Sequence, residues 1–435
     1  METITTRPRV LVIGAGFAGL MAVKKLARQP VDVTLIDRRN HHLFQPLLYQ
    51  VATSDLAPSD VAWPIREIFS RHRNVTVVLA EVSDIDQDQH VVITDQGRYP
   101  FDYLVVACGA ETSYFGRDDW AEVALGLKRI PNATDIRKKI LVAFERAETA
   151  DSTREQDRLT TFAVVGGGPT GVEMAGAIAE LARMTLAKDF RHIDAAQARI
   201  VLIEAGPRLL SAFPEALSDY TQRTLERLGV EVMLDTRVTD ITAAGVELGD
   251  RRIPAGSVIW GAGVHVPHAA CWLGVETDRS GRVPVGPDLS LAGHPNIFVI
   301  GDAAQIAWQD GKTVPGLAPA AKQQGIYAAE AIAARVAGHA APAPFRYRHM
   351  GDLATIGRHA AVISYGPLKL RGFVAWWLWG MAHIYFLIGV RKPLLIAINW
   401  LWSYLRAAKG VRLITGTLGG TDDPAYKPPQ SVDAA

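Results

Sequence analysis

The chain has almost no cysteine: two residues, Cys108 and Cys271, in 435. That excludes a disulfide framework, a cysteine-rich metal site and a paired-thiol redox centre, and it fits a reducing compartment. Strong net charge is missing as well. Lys and Arg total 46 against 45 acids, a formal +1, so no global field attracts nucleic acid. The opening residues, METITTRPRVLVIGAG, carry neither the apolar core of a secretion signal nor an Arg/Ser-rich amphipathic pattern. The body of the protein is therefore expected in the cytoplasm.

What is present points to a globular chain of two or three domains. Apolar residues make up 49% and charged residues 21% of a length too great for one ordinary core. The charge is unevenly spread. From Phe345 to Arg412 the basic residues are Arg346, Arg348, Arg358, Lys369, Arg371, Arg391, Lys392, Arg406, Lys409 and Arg412, against the single acid Asp352. That segment is +9 and the remainder −8, which suggests an anionic surface as partner for this block alone.

Two stretches repeat one pattern. Arg9 to Ile13, a helical stretch from Phe17 to Arg28, and Asp32 to Ile36 read as strand, helix and strand. Thr161 to Val165, Val172 to Leu186 and Arg199 to Ile203 read the same way. Their separation is too large for a solenoid and suits two nucleotide-binding domains. Tyr103 to Ala110, Val258 to Gly263 and Ile297 to Ala303 are predicted as further strands ending in small residues. Glu145 to Asp157 reads as a linker or a solvated helix end, and Gly338 to Pro344 as a boundary.

Each unit carries a glycine turn between strand and helix. In the first, Gly14-Ala15-Gly16-Phe17-Ala18-Gly19, one glycine permits the tight turn, the next lets backbone approach a pyrophosphate, and the last lets helix pack on strand. The phosphates would sit on the free N–H groups of the helix. Asp37, followed by Arg38, ends the next strand where a carboxylate can hold a ribose hydroxyl. In the second, Gly166-Gly167-Gly168-Pro169-Thr170-Gly171, the matching acid is Glu204, delayed by an insertion from Arg183 to Ala198. A carboxylate there repels a 2′-phosphate and favours NADH over NADPH, although Arg208 lies nearby. Two turns call for two adenine nucleotides, and the economical pair is a held FAD with an exchanging NADH.

With these motifs in place the chain resembles the two-dinucleotide-binding-domain flavoproteins, and within them type II NADH:quinone oxidoreductase. The resemblance runs from Arg9 to about Leu418. It implies FAD at the first turn and NADH at the second. Gly301-Asp302-Ala303 matches the second flavin motif, whose aspartate binds the ribityl chain, and Gly109 and Gly263 end strands at the cofactors. Phe44 to Thr53, with Pro46 and Tyr49, resembles the segment near the flavin, and Ala318 to Gly325 the stretch whose glutamines, here Gln323 and Gln324, line a quinone site. Two departures stand out. Ala107-Cys108-Gly109 replaces Ala-Thr-Gly, and the second turn is GGGxxG. Disulfide and sulfide reductases need cysteines that His41 to Thr53 lacks.

The resemblance implies hydride transfer from NADH to flavin, then two electrons to a quinone without proton pumping. Glu173, just after Gly171, is expected at the nicotinamide end, or else is a helix-terminal acid favoured by the dipole. Gln323 and Gln324 are expected to donate to quinone oxygens, or else to cap the helix or bond the flavin. His383 either relays a proton or is simply held in place. Phe373 to Val390 holds 18 residues without a formal charge, Leu394 to Leu405 follows, and five of ten tryptophans fall between Trp376 and Trp402. Two helices lying in an anionic membrane surface are expected, over a spanning hairpin or a buried interface.

The predicted fold is thus α/β, two Rossmann-like domains plus a C-terminal amphipathic helical membrane-anchoring region. The FAD domain takes residues 1–115 and 285–345, the NADH domain 116–284, and the anchor 346–435. The expected partners are a membrane quinone and anionic lipid, with a homodimer on the cytoplasmic face of a bacterial inner membrane. No metal site and no nucleic acid are predicted. Reduction of a protein carrier such as ferredoxin, or a non-catalytic FAD/NADH redox sensor, remain the alternatives.

Overall fold

A computed structural model of the protein describes residues 7–386 and 412–414. Residues 387–411, and with them the expected helix from Leu394 to Leu405, lie outside the described residues, as do the ends of the chain. Apolar, β-branched runs build two separate sheets, parallel except for the antiparallel edge strand Ser290–Leu291. In the first, strand Arg9–Ile13 lies between Asp32–Asp37 and Tyr103–Val106. Val75–Leu79 extends it on one side, and His294–Val299 with Ser290–Leu291 on the other. In the second, Thr161–Val165 lies between Arg199–Ile203 and Ser257–Trp260, flanked by Val230–Met233 and Ala124–Gly126. The central strand of each sheet leads into a glycine turn, so both turns sit where the strand order reverses, the place where such sheets hold ligands.

The first sheet closes with residues from well beyond the second, because the chain leaves one unit, builds the other and returns. The returning strand is shorter than the sequence suggests. It stops at Val299, since Gly301 adopts φ +74° and turns the backbone into a short 3-10 segment, Gly301–Ala303. Helices Phe17–Leu26 and Ala318–Val336 then cross closely. A Cβ on Gly325 would lie 2.1 Å from the Ala18 carbonyl oxygen, so only glycine allows that approach. Glu145 to Asp157 is not a linker: helix Ile130–Glu148 ends there and helix Thr153–Leu159 begins on a Ser152 cap. The Glu148 carboxylate accepts the N–H groups of Arg191, His192 and Ile193, tying down the Arg183 to Ala198 insertion.

The basic segment read wholly as a membrane anchor begins instead as sheet. Asp352–Gly357, Ala360–Tyr365 and Leu368–Gly372 form an antiparallel meander. Ala354 to Ile356 and Ala360 to Ile363 are buried without interruption, so the middle of the meander is covered on both faces. This meander packs on helix Pro169–Glu180, where a Cβ on Gly176 would meet the Ile356 carbonyl oxygen at 1.9 Å. Helix Phe373–Phe386 follows. Ala375 and Trp379 are buried against the meander, while Val374, Trp377, Leu378, Met381 and Tyr385 form an exposed apolar stripe. Among the described residues no helix is long and apolar enough to cross a membrane.

Candidate active site

The first glycine turn is an open cradle. Gly14 takes φ +96° and donates to the Ile36 carbonyl, and a Cβ on it would lie 2.3 Å from the Ala107 oxygen. A Cβ on Gly19 would lie 1.9 Å from the Gly14 oxygen, whereas one on Gly16 would meet nothing within 4 Å. Gly14 and Gly19 thus serve packing inside the protein, and Gly16 leaves space outside it. Asp37 accepts the Ala15 N–H through Oδ2 and the Arg39 N–H through Oδ1, both at 2.7 Å. The Arg39 guanidinium lies 3.7 Å from Oδ1, and the carboxylate oxygens have lone pairs left to accept a hydroxyl. Arg38 is turned to Glu111, which also binds Arg129. Gly109, at φ +72°, has open space where a side chain would be.

The returning segment meets this cradle. Gly301 lies against Ala18, where a Cβ would come within 3.2 Å of the alanine Cβ, and Asp302 Oδ1 would lie 3.2 Å from a Cβ on Gly316. Gln324, 2% exposed, accepts the Gly301 N–H at 2.5 Å. His42 was not singled out by the sequence. Its Nδ1–H donates to the Ala15 carbonyl at 2.7 Å, and its ring meets Phe17 edge-on at 5.2 Å. Burial pushes the imidazole down to about 4, so it stays neutral and keeps one tautomer. Replacing it, as in His42→Leu, is expected to cost the turn about 1 kcal/mol. The readout is severalfold faster loss of bound flavin on gel filtration; unchanged retention would show that His42 does not hold the turn.

The second turn repeats the design with one difference. Gly166 has φ +106°, a Cβ on Gly171 would lie 1.7 Å from the Gly166 oxygen, and Gly168 faces open space. Glu204 accepts the Gly167 N–H at 2.5 Å and the Gly206 N–H at 2.7 Å. The third glycine of GGGxxG now has a cause. A Cβ on Gly167 would press on Leu209 at 2.7 Å and on the Glu204 carboxylate at 2.8 Å. The matching position in the first turn accommodates Ala15. Arg208 donates to the carbonyls of Phe213 and Ser211. Thr170 sits in the first turn of helix Pro169–Glu180. Gly263, at φ +82°, is covered by the Phe115 ring, itself exposed and held at φ +54°, an unfavourable conformation for a bulky residue.

Between the cradles, the short helix Leu48–Ala52 packs on helix Pro169–Glu180. There the Tyr49 hydroxyl accepts from Gln50 Nε2 at 2.9 Å, and burial together with the nearby Glu173 charge pushes the phenol up. Desolvation pushes the Glu173 carboxyl up to about 8, opposed only by a 3.5 Å bond from the Thr355 N–H. Glu173 is therefore a proton-bearing acid near neutrality. Pro46 begins the turn leading into Tyr49. Gln323 makes two backbone bonds, to the Arg348 carbonyl and from its N–H. Lys322 Nζ lies 5.2 Å from the Phe17 ring centre, and desolvation lowers it to about 8. His383 donates through Nδ1 to the Trp379 carbonyl at 2.8 Å, and burial pushes it down to about 4. The Cys108 thiol is pushed up to about 12 by burial, which leaves it protonated and unreactive.

Residues 8–325 match the family described as pyridine nucleotide-disulphide oxidoreductase. The type II NADH:quinone oxidoreductase Ndh of Mycobacterium tuberculosis is 43% identical over 425 residues, covering 94% of this chain and 90% of that protein. The type II NADH:quinone oxidoreductase NdhA of the same organism is 42% identical, covering 95% and 90%. The solved structure of NDH2 from Plasmodium falciparum in complex with NADH superposes with a TM-score of 0.83 at 22% identity, covering 92% of this chain and 99% of that one; this likeness establishes the fold. The chain belongs to the type II NADH:quinone oxidoreductase family.

Proposed function

We propose that the chain holds FAD at the first glycine turn, binds NADH at the second, and passes two electrons to a membrane quinone without pumping protons. The observation that carries this is the pair of cradles at Gly16 and Gly168, each open outward and each beside a strand-end carboxylate. A flavin bound there supplies a hydride acceptor that can release electrons to a quinone. The first-turn N–H groups and Asp37 would hold the nucleotide part, Asp302 the ribityl chain, and Gly301 and Gly109 leave room for it. Gly166 to Gly171 and Glu204 would hold NADH, with Gly263 at its far end. In this reading residues 1–115 and 285–345 form the FAD domain, 116–284 the NADH domain, and 346–435 the membrane-facing region.

Glu173 would present a neutral acid at the nicotinamide end, and alignment would supply most of the rate. Pro46, Tyr49, Gln323 and Gln324 would border the quinone. Both ends of the Gln323 amide are held by Arg348, whereas Gln324 commits only its oxygen, to the Gly301 N–H, so Gln324 is the more available donor. The exposed stripe of helix Phe373–Phe386 supports peripheral, monotopic membrane binding; in the proposal that membrane is the cytoplasmic face of a bacterial inner membrane and the protein is a homodimer. The test is direct: purify in detergent, measure bound FAD, and follow NADH loss with a short-chain quinone. Flavin reduction without quinone turnover would remove the proposal. Glu204→Arg should lower kcat/KM for NADH by about tenfold or more and raise it for NADPH, a bond to a charged group contributing about 1.5–3 kcal/mol. Unchanged selectivity would take Glu204 out of the ribose site.

A further inference from the structure

An open cavity of about 750 Å³, far from either glycine turn in sequence, is lined by Tyr220, Arg223, Glu226, Arg227 and Arg371. Helix Glu215–Arg227 supplies Arg223 and Arg227, one turn apart on the same face. Arg227 is steadied by bonds to the Arg223 carbonyl and the Thr224 hydroxyl. Arg371 comes from the meander and lies over the Tyr220 ring at 5.4 Å. Glu226 is the one carboxylate in the lining, and Gln222 binds it at 2.9 Å. Among the described residues, none of the three guanidinium groups is in an ion pair. Three like charges around one cavity repel each other unless an anion shares them, and planar forks suit the oxygens of a phosphate.

The place of the cavity selects the source of that phosphate. Arg371 is two residues before the exposed Phe373, which starts the helix bearing the stripe, and a Cβ on the intervening Gly372 would lie 3.4 Å from the Tyr220 hydroxyl. The stripe runs on through Val374, 61% exposed, to Tyr385, 82% exposed. A cationic cavity whose Arg371 stands two residues before an exposed apolar helix matches a molecule with a phosphate at one end and acyl chain beyond it. Resting on the membrane reading above, we propose that Arg223, Arg227 and Arg371 bind the headgroup phosphate of an anionic phospholipid.

The experiment is flotation of the full-length FAD-loaded protein with vesicles of phosphatidylcholine alone or with part replaced by phosphatidylglycerol. Wild type should bind the phosphatidylglycerol vesicles more tightly. Arg223→Gln should lose about fivefold, and the combined Arg223→Gln, Arg227→Gln, Arg371→Gln variant roughly a hundredfold. Binding to phosphatidylcholine and NADH oxidation with a short-chain quinone in detergent should not change. Glu226→Gln should bind phosphatidylglycerol vesicles more tightly. A control with the same charge removed elsewhere, Arg237→Gln, Arg251→Gln, Arg252→Gln, should behave as wild type. The site is refuted if the triple variant binds like wild type, or if the control loses as much, which would indicate diffuse attraction. Equal wild-type binding to both vesicles refutes the headgroup site alone, whereas binding to neither refutes the membrane reading itself.

Discussion

The Gly168→Ala protein is expected to fold normally, retain FAD and lose NADH oxidation, with kcat/KM down by about a hundredfold. The added Cβ meets no protein atom within 4 Å, so stability should match wild type. The new methyl group would instead occupy the space proposed for the dinucleotide phosphates. Gly171→Ala sharpens the contrast. Its Cβ would lie 1.7 Å from the Gly166 oxygen, so helix Pro169–Glu180 must shift and stability must fall as well. Gly16→Ala should reverse the ligand, yielding a folded protein that purifies with little flavin. Flavin absorbance, thermal unfolding and NADH-driven bleaching read these effects separately. Wild-type KM in Gly168→Ala would exclude the second turn as the NADH site.

Glu173→Gln should flatten two pH profiles. The native carboxyl holds its proton up to about 8, whereas the ordinary value is 4.5. Between those values the folded protein keeps a proton that the unfolded chain releases. The stability from this group is therefore full below pH 4.5 and is lost as pH rises through about 8. The loss is at most about 1.4 kcal/mol per pH unit. Glutamine has no such proton, so the variant's Tm should gain on wild type across that window. Turnover that depends on the neutral acid should decline above pH 8 in wild type and stay level in Glu173→Gln. Parallel Tm curves would show that Glu173 ionises normally in the folded protein.

The two turns were legible because their requirements are local. Gly19 and Gly171 answer to the Gly14 and Gly166 carbonyls a few residues back, and Asp37 and Glu204 stand at the end of the very next strand of their unit. Gly14 and Gly166 themselves, however, face the distant backbone of Ala107 and Gly261. The contacts that complete the site are long-range, and sequence spacing does not carry them. His42 reaches back to Ala15, and Gln324 to Gly301. Phe115 covers Gly263 from across the chain. The meander was missed for a different reason. Its first two strands are short runs buried on both faces, without a period-2 signal, and they are interrupted by Gly357 and Gly366. The basic residues around them therefore dominated the reading of a segment whose middle is ordinary core. Gly167 was visible as a departure from GxGxxG, but only the packing of Leu209 and Glu204 explains it.

The contact of Gly176 with Ile356 joins the helix of the second turn to the meander at backbone distance. No side chain separates them that could yield while one element opened and the other held. In amide hydrogen exchange the two should therefore behave as one cooperative unit, with Val172 to Ala179 and Ala354 to Ile356 released together. Anything that clamps the terminal helix against the meander would slow exchange at the start of the nucleotide helix, far from the clamp itself.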